Sequence, residues 1–331
     1  MRWPWSPRRS GQRLLLRRVG DQHAFVLIDG PPGDEPARLL RWGLMAEARP
    51  VPAGDAIALL DPADYQILKV DTPNVPQEEL KAAARWQIKE MVDVDVAELT
   101  LDVMHVGGDV ERPNSSSSRQ LFVVAARNTA IKALTASASA LSEQIGIVDI
   151  WETALRNLLA HQARADDLAA RACAAVLIDE RHCLLVVCAG DELFYTRRLE
   201  GDPGLLARAR GEQTAGPATD LPLGFEYQPG GAFDGSSIQE SPLVVELQRS
   251  IDVWERSWPE LPLARLYVAT AAHGPEVATL IQRELGQRTV ALSPLAAFAS
   301  DAPAPEGDAT QALAACLPLL GAALRAETRK L

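Results

Sequence analysis

The chain has few cysteines, no long apolar run, no excess of basic charge and few aromatic residues, and the first three lacks each remove a class of function. No apolar stretch among its 331 residues reaches the ~18–20 needed to cross a bilayer. The longest, Ala312 to Leu324, contains Pro318 and predicts a buried helix near the C-terminus. The four cysteines, Cys173, Cys183, Cys188 and Cys316, show no CxxC spacing. Cys183 and Cys188 are five apart in a predicted strand, so they point to opposite faces and cannot share a metal. Buried thiols in a reducing compartment are expected, which points to the cytoplasm.

The five histidines, His23, His105, His161, His182 and His273, stand singly, without metal-ligand spacing. No serine lies in a GxSxG elbow and no cysteine in a nucleophile motif. Asp93, Asp95 and Glu98 resemble the start of a calcium loop. Glu98 and Met104, however, occupy the positions that need glycine and a bidentate glutamate, so a solvated acidic corner is expected. Nothing here demands catalysis.

A net charge of −11 argues against nucleic-acid binding, which needs a positive field. The charge is uneven: Arg2, Arg8, Arg9, Arg13, Arg17 and Arg18 all precede the first acid, Asp21, with Trp3 and Trp5 among them. Such a tail suits anionic headgroups. A solvated tail is the plainer reading, because Pro4 and Pro7 forbid an amphipathic helix there. No apolar core follows the arginines, as a secretory signal would require.

Four stretches read as loops or linkers: 29–37, 107–119, 201–242 and 300–309. The third exceeds the usual loop length and is read as a linker or a reduced subdomain. Between them, strands at Arg13–Val19 and His23–Ile28 flank Gly20-Asp21 and predict an opening hairpin. Then follow a strand at Tyr65–Val70, a helix at Pro76–Met91, strands at Leu99–Val106 and Gln120–Ala126, and a helix at Asn128–Gln144. This order is a small α+β module. The helix at 76 carries Glu78 and Glu79 in its first turn and a stripe of Leu80, Ala84, Ile88 and Met91.

The second half opens with three strands in succession, Ala174–Ile178, His182–Val187 and Glu192–Arg197. A helix at 243–258 follows, with Leu243, Leu247, Ile251, Trp254 and Trp258 on one face. Strand, helix, strand and helix complete the chain. Periodicity alone does not separate this order from other α/β arrangements.

Trp86 lies away from the Leu80 stripe, on the face with Arg85 and Lys89. Tryptophan beside cationic groups suits an anchor for a partner, since Trp and Arg dominate binding hot spots. The alternative is that Trp86 packs beneath a neighbouring element of its own chain.

Three stretches carry a family resemblance: PQEELKAAARWQIKEMVDVDVAELTLDV at 76–103, IGIVDIWETALRNLL at 145–159 and ELQRSIDVWERSWPELPLARLYVA at 246–269. They resemble the pilus-assembly family containing PilM and MshI, nearest to the MshI-like members that serve mannose-sensitive haemagglutinin (MSHA) pili. The resemblance implies an FtsA/PilM-type actin-like fold of two lobes. Residues 1–59 and 145–170 would form the first lobe, 60–144 an inserted α+β module, and 171–331 the second lobe. It further implies a cytoplasmic scaffold at the inner face of the inner membrane, peripherally attached. Its partner would be a bitopic PilN- or MshJ-like protein, held by its N-terminal cytoplasmic tail. The module would help form the docking surface, centred here on Arg85, Trp86 and Lys89.

The resemblance also implies phosphate loops, whose glycines let backbone amides approach a nucleotide. The N-terminal loop reads SPRRSGQ at 6–12, without the expected Asp-x-Gly. The second reads IDERHC at 178–183, keeping Asp179 but no glycine, and the adenosine stretch reads ATAAHG at 269–274. The expectation is therefore no cofactor and a pseudo-ATPase, with Asp179 the one weak candidate for contacting ATP. The alternative is an active actin-like ATPase whose nucleotide state gates assembly of a pilus or a type II secretion platform. A sugar kinase would need the missing phosphate loops.

Overall fold

The structure is a computed structural model that describes residues 11–30, 36–47, 49–51, 55–108, 119–142, 145–179, 183–212, 241–299 and 303–326. The first lobe begins with β1 (Gln12–Val19), β2 (Gln22–Asp29), β3 (Arg38–Met45) and β4 (Asp55–Leu59). The chain then forms β5 (Tyr65–Asp71), α1 (Leu80–Gln87), β6 (Leu99–His105), β7 (Gln120–Arg127) and α2 (Asn128–Ala138). It returns through β8 (Ile145–Asp149) and α3 (Trp151–Ala165). The second lobe comprises β9 (Ala172–Ile178), β10 (Cys183–Ala189), β11 (Glu192–Leu199), α4 (Pro203–Ala209), α5 (Pro242–Ser257), β12 (Leu263–Ala269), α6 (Gly274–Leu285) and β13 (Thr289–Ala291). Last comes α7 (Ala309–Ala323).

The two large sheets have one design. Their orders are β3-β2-β1-β4-β8 and β11-β10-β9-β12-β13. In each, the first three strands pair antiparallel and the last two add in parallel. The opening hairpin has the expected register, Arg13 opposite Ile28 and Val19 opposite Gln22. The module supplies a separate antiparallel sheet, β5-β7-β6.

Alternation along each strand builds layers. Leu15, Val26, Leu39 and Ile57 of the first sheet share a core with Cys173, Leu177, Leu184 and Val186 of the second, with α3 and α7 between. The outer face of the first sheet (Leu14, Leu16, Phe25) is covered by Leu134, Ala138 and Leu141 at the end of α2 and just beyond. The outer face of the second is covered by α4, α5 and α6. Cys183 lies in that outer core and Cys188 in the inner one, on opposite faces.

The helices change places between lobes. α3 follows the first sheet but packs on β9 and β10, whereas α7 follows the second but packs on β1, β2 and β3. The sequence-based boundaries put α7 with residues 171–331 and α2 with the module, while both lie against the first sheet. The chain before α7 also joins β3: Leu44 donates to the Glu306 carbonyl at 3.1 Å and Glu306 to that of Trp42 at 2.8 Å. Where α3 and α7 cross, a Cβ on Gly321 would lie 2.2 Å from the Ala154 carbonyl oxygen, so only glycine permits this approach.

Several expected boundaries shift. The helix at 76–91 becomes a 3₁₀ turn over Gln77–Glu79 and then α1, ending at Gln87. The following Val92-Asp93-Val94-Asp95 has low helical propensity, and the Asp95 carboxylate caps the next turn through Ala97 N at 2.9 Å. Leu80, Ala84 and Ile88 are buried as the stripe required, but Met91 is 50% exposed. α2 ends at Ala138 instead of Gln144, where the Ser137 and Ser139 hydroxyls bond back to Leu134 and Ala136 carbonyls. β3, β4, β8, α3 and α4 come from stretches in which no element was foreseen. α4 begins the supposed linker, its first turn capped by Asp202 through Leu205 N at 2.9 Å. Residues 1–10, 109–118 and 213–240 lie outside the described residues, whereas Arg13, Arg17 and Arg18 of the supposed basic tail belong to β1.

In the second lobe, Leu243, Leu247, Ile251 and Trp254 are buried along α5 as their spacing predicted. Trp254 donates its indole N–H to the Leu261 carbonyl at 3.0 Å and meets Phe194 edge-on at 5.9 Å. Truncating a buried tryptophan of this kind costs about 3–5 kcal/mol.

Candidate functional site

β1, β4 and β8 all end at the side of the first sheet that carries the Gly20-Asp21 turn. At that side the chain gathers charge. Arg17, one of the last residues of β1, is buried with its guanidinium 4.5 Å above the Trp151 ring. Asp149, ending β8, accepts from Ile150 N at 2.9 Å, from the Thr153 hydroxyl, and from Arg325 at 2.9 Å. These bonds hold the start of α3 and the end of α7 together.

The next residue pair ties three parts of the molecule. Glu152, in the first turn of α3, is 0% exposed. Arg198, near the end of β11 in the second lobe, donates to its Oε1 from Nε and Nη2, both at 3.1 Å. The Tyr65 hydroxyl, at the start of β5, donates to Oε2 and accepts from Trp151 N at 3.1 Å. Arg198 also caps the carbonyls of Pro62 and Tyr65 and lies 4.3 Å over the Tyr65 ring. Burial, then the neighbouring Glu152 carboxylate, pushes the Tyr65 phenol well above its usual pKa, so it stays a donor.

A second strap lies at the other end of β11. Gly107 N, after β6, donates to the Leu193 carbonyl at 2.8 Å. Side chains at Gly107 and Gly108 would meet Phe194 at 2.5 Å and Glu192 at 2.4 Å. Both glycines hold positive φ, 73° and 85°. The module thus grips β11 at both ends, and its Phe122 joins the core that contains Leu184 and Leu193.

The expected nucleotide loops fall as follows. β1 starts at Gln12, so the stretch 6–12 precedes the first strand and lies mostly outside the described residues. By sheet order, the turn equivalent to 179–182 is Gly20-Asp21. Placing the first phosphate loop at 6–12 is therefore corrected: the position two before the turn glycine is Arg18, whose Nε donates to the Gly20 carbonyl at 2.8 Å. Asp179 is half-buried directly after β9, and 180–182 lie outside the description. After β12, His273 takes a left-handed conformation, φ 55°, to start α6. A pocket of about 450 Å³ lies beside it, lined by Arg208, Gly211, Pro275, Glu276 and Thr279. Among the described residues no group of His, Cys, Asp and Glu could hold a metal ion, and no helix is long and apolar enough to cross a membrane.

At the outer end of the module, Trp86 is 73% exposed, and Lys89 Nζ lies 5.6 Å from its ring centre. Arg85 is turned back into the chain. Its guanidinium caps the Val96 carbonyl and that of Leu99, the latter at 3.1 Å. Gln87 donates to the Asp71 carbonyl at 3.1 Å, and Ile88 is fully buried. Of the three residues named from sequence, Trp86 and Lys89 face outward together and Arg85 holds their platform. Tyr65, Glu152, Arg198 and Arg17 were missed. Glu152 gave no local sign, because an acid in the first turn of a helix that also carries Arg156, Asn157, His161, Gln162 and Arg164 is ordinary.

No family model matches the sequence, and no curated protein matches it. Among solved structures, the chain is similar to a PilM-PilN type IV pilus biogenesis complex, at 18% identity and TM-score 0.62 over 96% of this chain and 100% of that one. It is also similar to the cytoplasmic domain of EpsL, an inner-membrane component of the type II secretion system of Vibrio cholerae (10% identity, TM-score 0.41, 94% of each chain). A Bacteroides thetaiotaomicron protein with an actin-like ATPase fold aligns at 8% identity and TM-score 0.45, over 92% of this chain and 96% of that one. The last two are too distant to weigh. The chain has the actin-like two-lobed α/β fold with an inserted α+β module.

Proposed function

We propose that this chain is a non-enzymatic scaffold of type IV pilus assembly, of the MSHA kind. It works in the cytoplasm at the inner face of the inner membrane. Its task is to hold the N-terminal cytoplasmic tail of a PilN- or MshJ-like membrane protein. The observation that carries this reading is the fold likeness to the PilM-PilN structure, which runs over nearly the whole chain. The tail would meet the module, with Trp86 and Lys89 as contacts and Arg85 as their support. The turn after β1 adds weight: Arg18 stands where an acid would be needed to approach a nucleotide.

A second reading keeps nucleotide. Asp179 follows β9 at the turn that matches Gly20-Asp21, and a pocket lies beside the start of α6. An active ATPase gating pilus or type II secretion assembly would use both. Co-purification separates the two: the scaffold captures the partner's tagged tail in nucleotide-free buffer, and capture that needs Mg·ATP supports the ATPase.

A further inference from the structure

Among the described residues only three large apolar side chains are well exposed: Trp86, Met91 and Val253, and two of them share one corner of the module. That corner is firmly built. Arg85 pins the end of α1 to the Val96 and Leu99 carbonyls, Gln87 pins it to Asp71, and Ile88 plugs the module core. Met91 N closes the following turn on the Ile88 carbonyl at 2.8 Å. Trp86 is thus shown to solvent from a fixed platform, and pre-organised aromatics give up little freedom on binding.

The surroundings are acidic. Residues 76–98 carry Glu78, Glu79, Glu90, Asp93, Asp95 and Glu98 against Lys81, Arg85 and Lys89. Two of those cations are engaged within the chain: Arg85 with the carbonyls, and Lys81 with Asp102 at 2.9 Å. All six acids are exposed. An anionic membrane would be repelled by such a rim, whereas a cationic segment would be drawn to it.

We infer that the corner from Trp86 to Asp93 docks a cationic peptide segment bearing an apolar side chain. The apolar group covers Trp86 and Met91, and Lys or Arg side chains face Glu90 and Asp93. This rests on the scaffold reading only in taking the segment to belong to the membrane partner.

The test uses the full chain and two labelled dodecapeptides, one alternating lysine with leucine and one alternating glutamate with leucine, read by fluorescence anisotropy. The lysine peptide binds, and the glutamate peptide binds at least about tenfold more weakly. Trp86→Ala, and separately Glu90→Lys with Asp93→Lys, each weaken the lysine peptide about tenfold while melting as the parent does. Raising NaCl from 50 to 300 mM weakens it several-fold. Equal binding of both peptides, no binding of either, or indifference to Trp86→Ala overturns the inference. Trp86-dependent sedimentation with phosphatidylglycerol vesicles also overturns it, in favour of a membrane. The partner's own tail separates this claim from the broader one. A tail captured regardless of Trp86 leaves the scaffold standing and removes this surface. A tail never captured removes the scaffold, and the lysine peptide alone then decides the surface.

Discussion

Arg198 of the second lobe donates two hydrogen bonds, each 3.1 Å, to one carboxylate oxygen of Glu152 at the start of α3. Glu152 is wholly buried, and its other oxygen takes the Tyr65 hydroxyl of the module. Removing one partner strands a buried charge, whereas removing both does not. Arg198→Leu is expected to cost about 3 kcal/mol, and Arg198→Leu with Glu152→Leu distinctly less than the sum of the single changes. Denaturant unfolding of the four chains in a double-mutant cycle measures this. Additive losses would show that the two side chains are not energetically coupled.

The crossing of α3 and α7 depends on Gly321, whose missing Cβ leaves room for the Ala154 carbonyl. Asn157 also donates to the Gly321 carbonyl, at 3.2 Å. Gly321→Ala should destabilise by at least about 1–3 kcal/mol, because two backbones must move apart. Gly146→Ala, in β8 with nothing within 4 Å, serves as the control and should change stability by about 0.5 kcal/mol or less. Equal midpoints for the two variants would mean that the helices do not meet as described.

Burial pushes the Cys173 thiol up to about 11 and those of Cys183 and Cys316 up to about 12, and raises Cys188 as well. A raised folded pKa on an acid means that the folded state holds its proton more tightly. That stability is complete below the ordinary thiol value of 9.0 and is lost as pH climbs toward the folded values. Above pH 9 stability should therefore fall progressively, as each unfolded thiol ionises while its folded counterpart keeps its proton. The decline should be shallower in Cys183→Ala with Cys316→Ala than in the parent, by denaturant midpoints across that range. Iodoacetamide should label none of the four at pH 8 until the chain unfolds.

Much of the architecture was legible because it rests on local pattern. The 12–29 hairpin announces itself by a Gly-Asp turn between apolar runs, and α5 by five apolar residues on one face. What was illegible is tertiary. Nothing near Trp151 or Ala312 says that α3 will serve the second sheet and α7 the first. The equivalence of Gly20-Asp21 with 179–182 appears only when the two sheet orders are compared, which is why the first phosphate loop was sought too early. β3, reading RLLRWGLM, has no clean alternation because its pairing with β2 slips at Leu40, between Arg41 opposite Leu27 and Leu39 opposite Ile28. Trp86 could be assigned to the face away from the stripe by its spacing. That Arg85 beside it turns inward depends on carbonyls eleven and fourteen residues away.

The most direct measurement is an anisotropy titration of the partner's cytoplasmic tail into the full chain, with and without millimolar Mg·ATP. The expected result is saturable binding with the same dissociation constant in both buffers, and no rise in the chain's melting temperature from Mg·ATP. A ligand at about 100 times its dissociation constant would stabilise the fold by ~2.7 kcal/mol, enough to see as a shift of several degrees. Binding that appears only with Mg·ATP, accompanied by such a shift, would contradict a nucleotide-independent scaffold.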